Sequence, residues 1–253
     1  LDPLATGVLL VGLGRATRLL EYLAGHGKEY KARVRLGESR DTLDREGELL
    51  TTLPVPDLDS AQIEEALARF RGVIVQVPPV YSAVKVRGVP LHRRARRGEA
   101  VEAPPRTVEL RELELLERSG PDLVLRVACS AGTYVRSLAR DLGEALGTAG
   151  ALWELTRTRS GPFSLADARS LAEVQRTGPD AWPWVLPVSR MVEDLQGMTA
   201  SPAQVSDLCA GRALACPGEE GDVAVFDETG ALVAVARRTA DTLRPAKVVP
   251  DRV

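Results

Sequence analysis

The sequence predicts an α+β protein, and three observations predict it. Residues 28–36 and 123–129 alternate with period two. Tyr30, Ala32, Val34 and Leu36 fall on one face of the first, and Leu123, Leu125, Val127 and Cys129 on one face of the second. Residues 59–70 have the pattern of an amphipathic helix instead. Asp59 with Gln62 makes a capping box ahead of the stripe Ile63, Ala66, Leu67 and Phe70. Late in the chain, 223–226 and 232–235 flank an Asp227-Glu228-Thr229-Gly230 turn, a hairpin signal.

The remaining elements follow in order. The chain opens Leu1-Asp2-Pro3-Leu4-Ala5-Thr6-Gly7-Val8-Leu9-Leu10. Pro3 fixes its own φ and holds Asp2 towards an extended conformation, and Gly7 permits a turn that few residues can make. A carboxylate on a stiff loop beside small residues is a reasonable place for a nucleophile. Asp-Pro is also common in plain turns. Residues 11–24 read as a short strand and then a helix with Leu19, Leu20 and Leu23 on its apolar side. Gly12-Leu13-Gly14 lacks the third glycine of a dinucleotide fingerprint, and no P-loop occurs. Residues 73–77 read as a buried strand halted by Pro78 and Pro79. After Ser130-Ala131-Gly132 comes a helix with Val135, Leu138, Leu142 and Leu146 in its stripe, and Arg140 is placed to pair with Glu144 on its surface. The Pro- and Trp-rich run 178–187 reads as a boundary. Ser201-Pro202-Ala203-Gln204 begins a capped helix.

Composition excludes several classes. The chain has 253 residues, 44% hydrophobic and 27% charged, which suits a soluble globular protein of one or two domains. No apolar run approaches the twenty or so residues that span a membrane, and no charged-then-apolar leader opens it. Cys129, Cys209 and Cys216 form no CxxC pair, so a reducing cytoplasm is expected. Neither His26 nor His92 has metal-ligand spacing with them, so no metal is expected. Cys129 sits on an apolar strand face, where burial explains it without nucleophilic work. Ala128 stands where a G-x-S-x-G elbow needs its first glycine. Net charge is −2, yet Lys85, Arg87, Arg93, Arg94, Arg96 and Arg97 fall within thirteen residues that contain His92 and no acid. Such a cluster attracts a phosphate backbone, although charge runs also serve simply as solvated faces.

Four motifs, in order, resemble those of the bacterial tRNA pseudouridine-55 synthases, the TruB family. They are Leu1-Asp2-Pro3-Leu4-Ala5-Thr6-Gly7-Val8-Leu9, then Lys28-Glu29-Tyr30 with Leu36-Gly37 and 42–47, then Gln76-Val77-Pro78-Pro79-Val80-Tyr81-Ser82-Ala83-Val84-Lys85, and 129–143 with its Gly132-Thr133-Tyr134-Val135-Arg136. Leu155-Thr156-Arg157 is similar to a fifth family segment, with Thr156 in place of an arginine, and His92 stands where the family commonly has tyrosine. The resemblance implies a segment ahead of Leu1 with a first strand and a histidine-glycine stretch. It implies a mixed, mainly antiparallel sheet flanked by helices over residues 1–186, and a small β-rich PUA-like RNA-binding domain over 187–253.

By the same resemblance Asp2 is the nucleophile, Arg136 pairs with it, Tyr30 lies against the target base, and Tyr134 and Leu155 line the uridine pocket. Lys85, Arg93, Arg94, Arg96 and Arg97 would grip RNA. The chemistry is consistent with that pairing, because a carboxylate walled by aromatic rings drifts towards its neutral form, and a nearby arginine keeps it charged. The implied reaction isomerises uridine-55 in the T-loop of tRNA without metal or organic cofactor, in a cytoplasmic protein expected to be a monomer. Whether the aspartate acts on the base or the sugar is left open. The competing class is a non-catalytic tRNA-binding or tRNA-folding protein on the same scaffold. An aspartyl phosphotransferase would need a second acid for magnesium, and the sequence places none near Asp2.

Overall fold

A computed structural model describes residues 2–86, 88–95, 97, 99, 103–177 and 184–249, with the side chain of His92 outside that description. Arg87 and Arg96 of the basic run and most of the 178–187 boundary run also lie outside the described residues. The chain divides into two compact units, Leu1–Leu9 with His26–Ala166 and Leu10–Gly25 with Asp167–Val253.

The first unit is built on one sheet. Its strands are β1 (Thr6–Gly7), β2 (Lys28–Leu36), β3 (Glu38–Arg40), β4 (Leu49–Thr52), β5 (Gly72–Gln76), β6 (Lys85–Val86), β7 (Val89–Pro90), β8 (Arg106–Ser119), β9 (Asp122–Cys129), β10 (Gly150–Ser160) and β11 (Phe163–Ser164). Seven of them form a sheet in the order β1-β10-β2-β9-β8-β5, with β11 also on β10. Only β1 and β10 pair in parallel, so the sheet is mixed and mainly antiparallel. β3–β4 and β6–β7 are separate hairpins.

The alternation in β2 has its physical counterpart here. Ala32, Val34 and Leu36 are buried against Leu123, Leu125 and Val127 of β9, with Lys31 turned out to solvent. Helices Ser60–Ala68 and Val135–Ala145 contribute Ile63, Leu67, Leu138 and Leu142 to the same core. The first of these starts at the expected capping box: Asp59 accepts from the Gln62 amide, and the Gln62 side chain accepts from the Asp59 amide, both at 2.8 Å. The second lies backbone to backbone on β10. A Cβ on Gly150 would overlap the Ala139 carbonyl, and one on Gly143 would overlap the Gly150 amide. Only glycines let the helix come so close, and the contact holds its middle turns against β10.

Three expectations are corrected. The strand at 73–77 is not buried: β5 is an edge strand of the sheet, with Val73 and Val75 exposed and only Gln76 fully buried. Residues 11–13 form no strand: Gly14, at φ 52°, turns the chain into a 3₁₀ helix Gly14–Leu19 followed by the one-turn helix Leu20–Ala24. Arg140 pairs with its neighbour Asp141 at 2.7 Å rather than with Glu144, and its Nη2 also donates to the Val77 carbonyl.

The second unit carries β12 (Gln196–Thr199), helix Pro202–Cys209, β13 (Leu214–Ala215), β14 (Gly221–Phe226), β15 (Leu232–Thr239) and β16 (Thr242–Val248). Its sheet runs β12-β14-β15-β16-β13 around Leu208, Val223, Val225, Ala234 and Leu243. The predicted hairpin is β14–β15, and the Asp227 carboxylate accepts from the Thr229 and Ala231 amides in its turn. Among the described residues no helix is long and apolar enough to cross a membrane.

Candidate active site

Asp2 owes its position to the residues just after it. The Ala5 amide donates to the Asp2 carbonyl, closing a turn, and Leu4 is buried in the same core as Leu155. β1 then docks on β10. The Val8 amide donates to the Arg157 carbonyl at 2.9 Å, and Arg157 Nε donates to the Val8 carbonyl at 2.7 Å. Gly7 lies between them at φ 97°, so close to Arg157 that a Cβ would overlap its carbonyl oxygen. The small residues of the opening stretch therefore allow a close approach that fixes the loop.

Arg136 sits in the first turn of helix Val135–Ala145 and is only 6% exposed. Its Nε donates to Asp2 Oδ2 at 2.9 Å and its Nη2 to Asp2 Oδ1 at 3.1 Å, a two-pronged arrangement that a planar guanidinium alone can make. The remaining donors also find acceptors. Nη2 reaches the Tyr81 carbonyl at 3.1 Å, and Nη1 the Thr42 carbonyl at 3.0 Å. Asp44 Oδ2 lies 3.4 Å from Nη1 and is itself almost fully buried. Asp44 is held in turn by the Thr42 hydroxyl at 2.7 Å and the Glu46 amide at 3.1 Å. One buried cation thus stands between two carboxylates, of which only that of Asp2 reaches solvent, with its side chain 26% exposed.

Tyr30 is buried on β2, opposite Arg157 of β10. Burial pushes its phenol up, nearby Cys129 adds to the rise, and the Arg157 guanidinium opposes it. The phenol therefore keeps its proton at neutral pH and remains a hydrogen-bond donor. Burial also pushes the Cys129 thiol up. Tyr134 precedes the Arg136 helix, and Gln76 clamps its backbone from both sides, Oε1 accepting from the amide at 2.8 Å and Nε2 donating to the carbonyl at 3.1 Å. Its ring packs on the small cluster of Val84, Leu91 and Ala103. That cluster joins the helix to the basic stretch.

Within the basic stretch Lys85, Arg93 and Arg97 are exposed, whereas Arg94 is bonded to Glu99 at 2.7 Å. Arg96 lies outside the described residues. Sequence reasoning missed Asp44, the Thr42 and Tyr81 carbonyls and Arg157. The first three lie inside the motif segments 42–47 and 76–85, which have no periodicity to mark their roles, and Arg157 follows Thr156, which departs from the family segment. No group of three or more metal-ligating side chains occurs among the described residues.

Comparison with known proteins adds the family. The family model described as TruB family pseudouridylate synthase, N-terminal domain, matches residues 1–135, and that described as tRNA pseudouridylate synthase B C-terminal domain matches 136–181. The tRNA pseudouridine synthase B of Francisella tularensis subsp. novicida is 49% identical over 176 residues, 69% of this chain and 58% of that protein. The chain therefore spans little more than half of that relative's length. The tRNA pseudouridine synthase B of Xanthomonas campestris pv. campestris is 42% identical over 245 residues, 95% of this chain and 80% of that protein. Among solved structures, one of an H/ACA ribonucleoprotein bound to a substrate RNA containing 2′-deoxyuridine matches with a TM-score of 0.74 and 25% identity, over 99% of this chain and 74% of that one. An archaeal box H/ACA Nop10–Cbf5 complex matches with a TM-score of 0.73 and 26% identity, over 98% and 74%. Since both family models fall on the segments that bring Asp2 and Arg136 together, and the Xanthomonas relative aligns with nearly the whole chain, the chain belongs to the TruB family of pseudouridylate synthases.

Proposed function

We propose that this protein is a tRNA pseudouridine synthase that converts uridine-55 of the T-loop to pseudouridine. The observation that carries the proposal is the two-pronged bond between Arg136 and the one carboxylate of the pair that meets solvent. Binding alone would not require a charged pair held so closely. Asp2 is the nucleophile, and Arg136 keeps it oriented and charged. A uridine in a folded loop must leave its stack to reach such a group. Tyr30 lies against the extruded base with its hydroxyl protonated, while Tyr134 and Leu155 line the pocket. Lys85, Arg93, Arg94, Arg96 and Arg97 contact phosphates and set the register. Residues 1–186 form the catalytic domain, and 187–253 a PUA-like domain that adds RNA affinity. That boundary differs from the division into compact units, which ends the first at Ala166 and gives Leu10–Gly25 to the second.

The rearrangement balances without a redox partner. The N1–C1′ bond breaks, the base turns, a C5–C1′ bond forms, the C5 proton leaves to solvent and N1 takes one up. No metal or organic cofactor is required for that sequence of steps. The test is tritium release from tRNA labelled at C5 of its uridines, followed by nucleoside analysis of the T-loop. Release from unmodified tRNA, and none when position 55 carries cytidine, is the expected result. Tight tRNA binding with no release from either would favour a non-catalytic RNA-binding protein.

A further inference from the structure

The loop between β3 and β4 supplies Arg136 with two acceptors, the Thr42 carbonyl and the Asp44 carboxylate, yet has no helix or ladder of its own. Leu43 within it holds φ at 62°, a left-handed conformation that a branched L side chain keeps only when its surroundings enforce it. One restraint is a backbone exchange with β10: the Arg45 amide donates to the Leu152 carbonyl at 2.9 Å, and the Leu152 amide to the Leu43 carbonyl at 3.0 Å. The other is Arg40. Its Nη1 spans the mouth of the loop, donating to the carbonyls of Gly47 at 2.9 Å and Arg45 at 3.3 Å. Its Nε and Nη2 both donate to Glu38 Oε2, at 3.0 and 2.6 Å.

Trp153, next to Leu152, completes the brace. The Arg40 guanidinium carbon lies 5.2 Å from the Trp153 ring centre, within cation–π reach. The Arg35 guanidinium lies over the same ring at 3.8 Å and is itself tied to Asp122 by two hydrogen bonds of 2.8 and 2.9 Å. A bulge in β10 between Leu152 and Glu154 places Trp153 at the point where the loop meets the sheet. The brace thus runs from the rigid sheet, through one indole and one guanidinium, to the Arg45 and Gly47 carbonyls of the loop that carries the two acceptors of Arg136.

We propose that Arg40, braced by Glu38 and Trp153, is a positioning residue that sets the angle at which Arg136 grips Asp2. The proposal rests on the reading of Asp2 and Arg136 as the reacting pair, but part of its test does not depend on activity. Arginine is required because three of its nitrogens are used at once, which the single ammonium of lysine cannot reproduce.

Two measurements decide it: single-turnover tritium release on saturating tRNA, and the Arg136 Nε–H resonance of the ¹⁵N-labelled protein, assigned by its loss in Arg136→Lys. Arg40→Ala and Trp153→Ala should slow the rate between about tenfold and a hundredfold, the usual effect of a small misplacement, with tRNA affinity within about twofold. Both should shift the Arg136 resonance, whereas Arg69→Ala, which removes an exposed helix pair with Glu65, should move neither. Trp153→Phe keeps an aromatic face and should stay near the parent. Arg40→Lys covers the case in which the alanine variant loosens the hairpin, and should remain slow with a shifted resonance. A parent-like rate and resonance in Arg40→Ala or Arg40→Lys would overturn the proposal. So would weakened tRNA affinity with an unchanged rate, which would make Arg40 an RNA-binding group. If the parent releases no tritium, the proposed function fails, and the resonance still decides whether Arg40 sets Arg136.

Discussion

Removing the Arg136 side chain should be costly in two separable ways. Arg136→Ala deletes hydrogen bonds to Asp2, Thr42 and Tyr81 and strips Asp44 of its cation. Asp2 is a quarter exposed, so water takes up much of its share. Asp44 is 5% exposed and has no such relief. Truncating one partner of a buried pair costs about 3–5 kcal/mol, and the partial exposure of Asp2 argues for the lower end, about 3 kcal/mol. For a unit of this size that is a fall in melting temperature of roughly 6–12 °C. Arg136→Lys keeps the charge but not the fork, so it should recover part of the stability and little of the rate. Because Asp44 is the group left stranded, Arg136→Ala combined with Asp44→Asn should be less destabilised than the sum of the single changes, by about 0.5–3 kcal/mol. Scanning calorimetry on the parent and these four variants, with single-turnover rates alongside, measures both effects. A fully active Arg136→Lys enzyme with an unchanged melting temperature would refute the reasoning.

Two further outcomes are expected. Arg93→Ala/Arg97→Ala should flatten the slope of log affinity against log salt by up to about one unit for each phosphate no longer neutralised, and Arg94→Ala should do less, because Glu99 already neutralises it; an unchanged slope in filter-binding titrations would reduce the run to a solvated face. Asp122 is held below the ordinary carboxylate range by its hydrogen bonds from Arg35, with burial opposing. Its folded value being the lower one, its contribution to stability is present above about pH 3.9 and lost as pH falls through that folded value, so Asp122→Asn should flatten the acid limb of a melting-temperature profile. An acid limb identical to the parent's would remove Asp122 from the acid response.

Much of the fold was legible because its elements announce themselves locally. β2 and β9 alternate cleanly, and the helices at Ser60 and Pro202 begin at capping boxes whose reciprocal bonds are present. β8 and β10 leave no clean two-residue period in the sequence, and the reason is physical. Bulges at Leu110/Glu112 and Leu115/Glu117 in β8, and at Leu152/Glu154 and Arg157/Arg159 in β10, each break the two-residue period that reveals a strand. The site divides in the same way. Asp2, Tyr30, Tyr134 and Arg136 lie in recognisable motifs, and the fold brings Asp2 and Arg136 into contact. Asp44 was invisible as a partner of Arg136, because their contact depends on how an irregular loop docks against Leu152, which no spacing encodes. Glu99 lies just beyond the acid-free stretch, and only its bond to Arg94 shows that the basic run is partly neutralised.

The most direct test of the central claim is the Asp2→Asn substitution, which keeps the side chain's shape and removes its charge. Affinity for tRNA rests on phosphate contacts and should stay within a few-fold. Single-turnover tritium release from C5 of uridine-55 should fall below detection, with no pseudouridine in the T-loop. Isomerisation by Asp2→Asn at the parent rate would contradict the account.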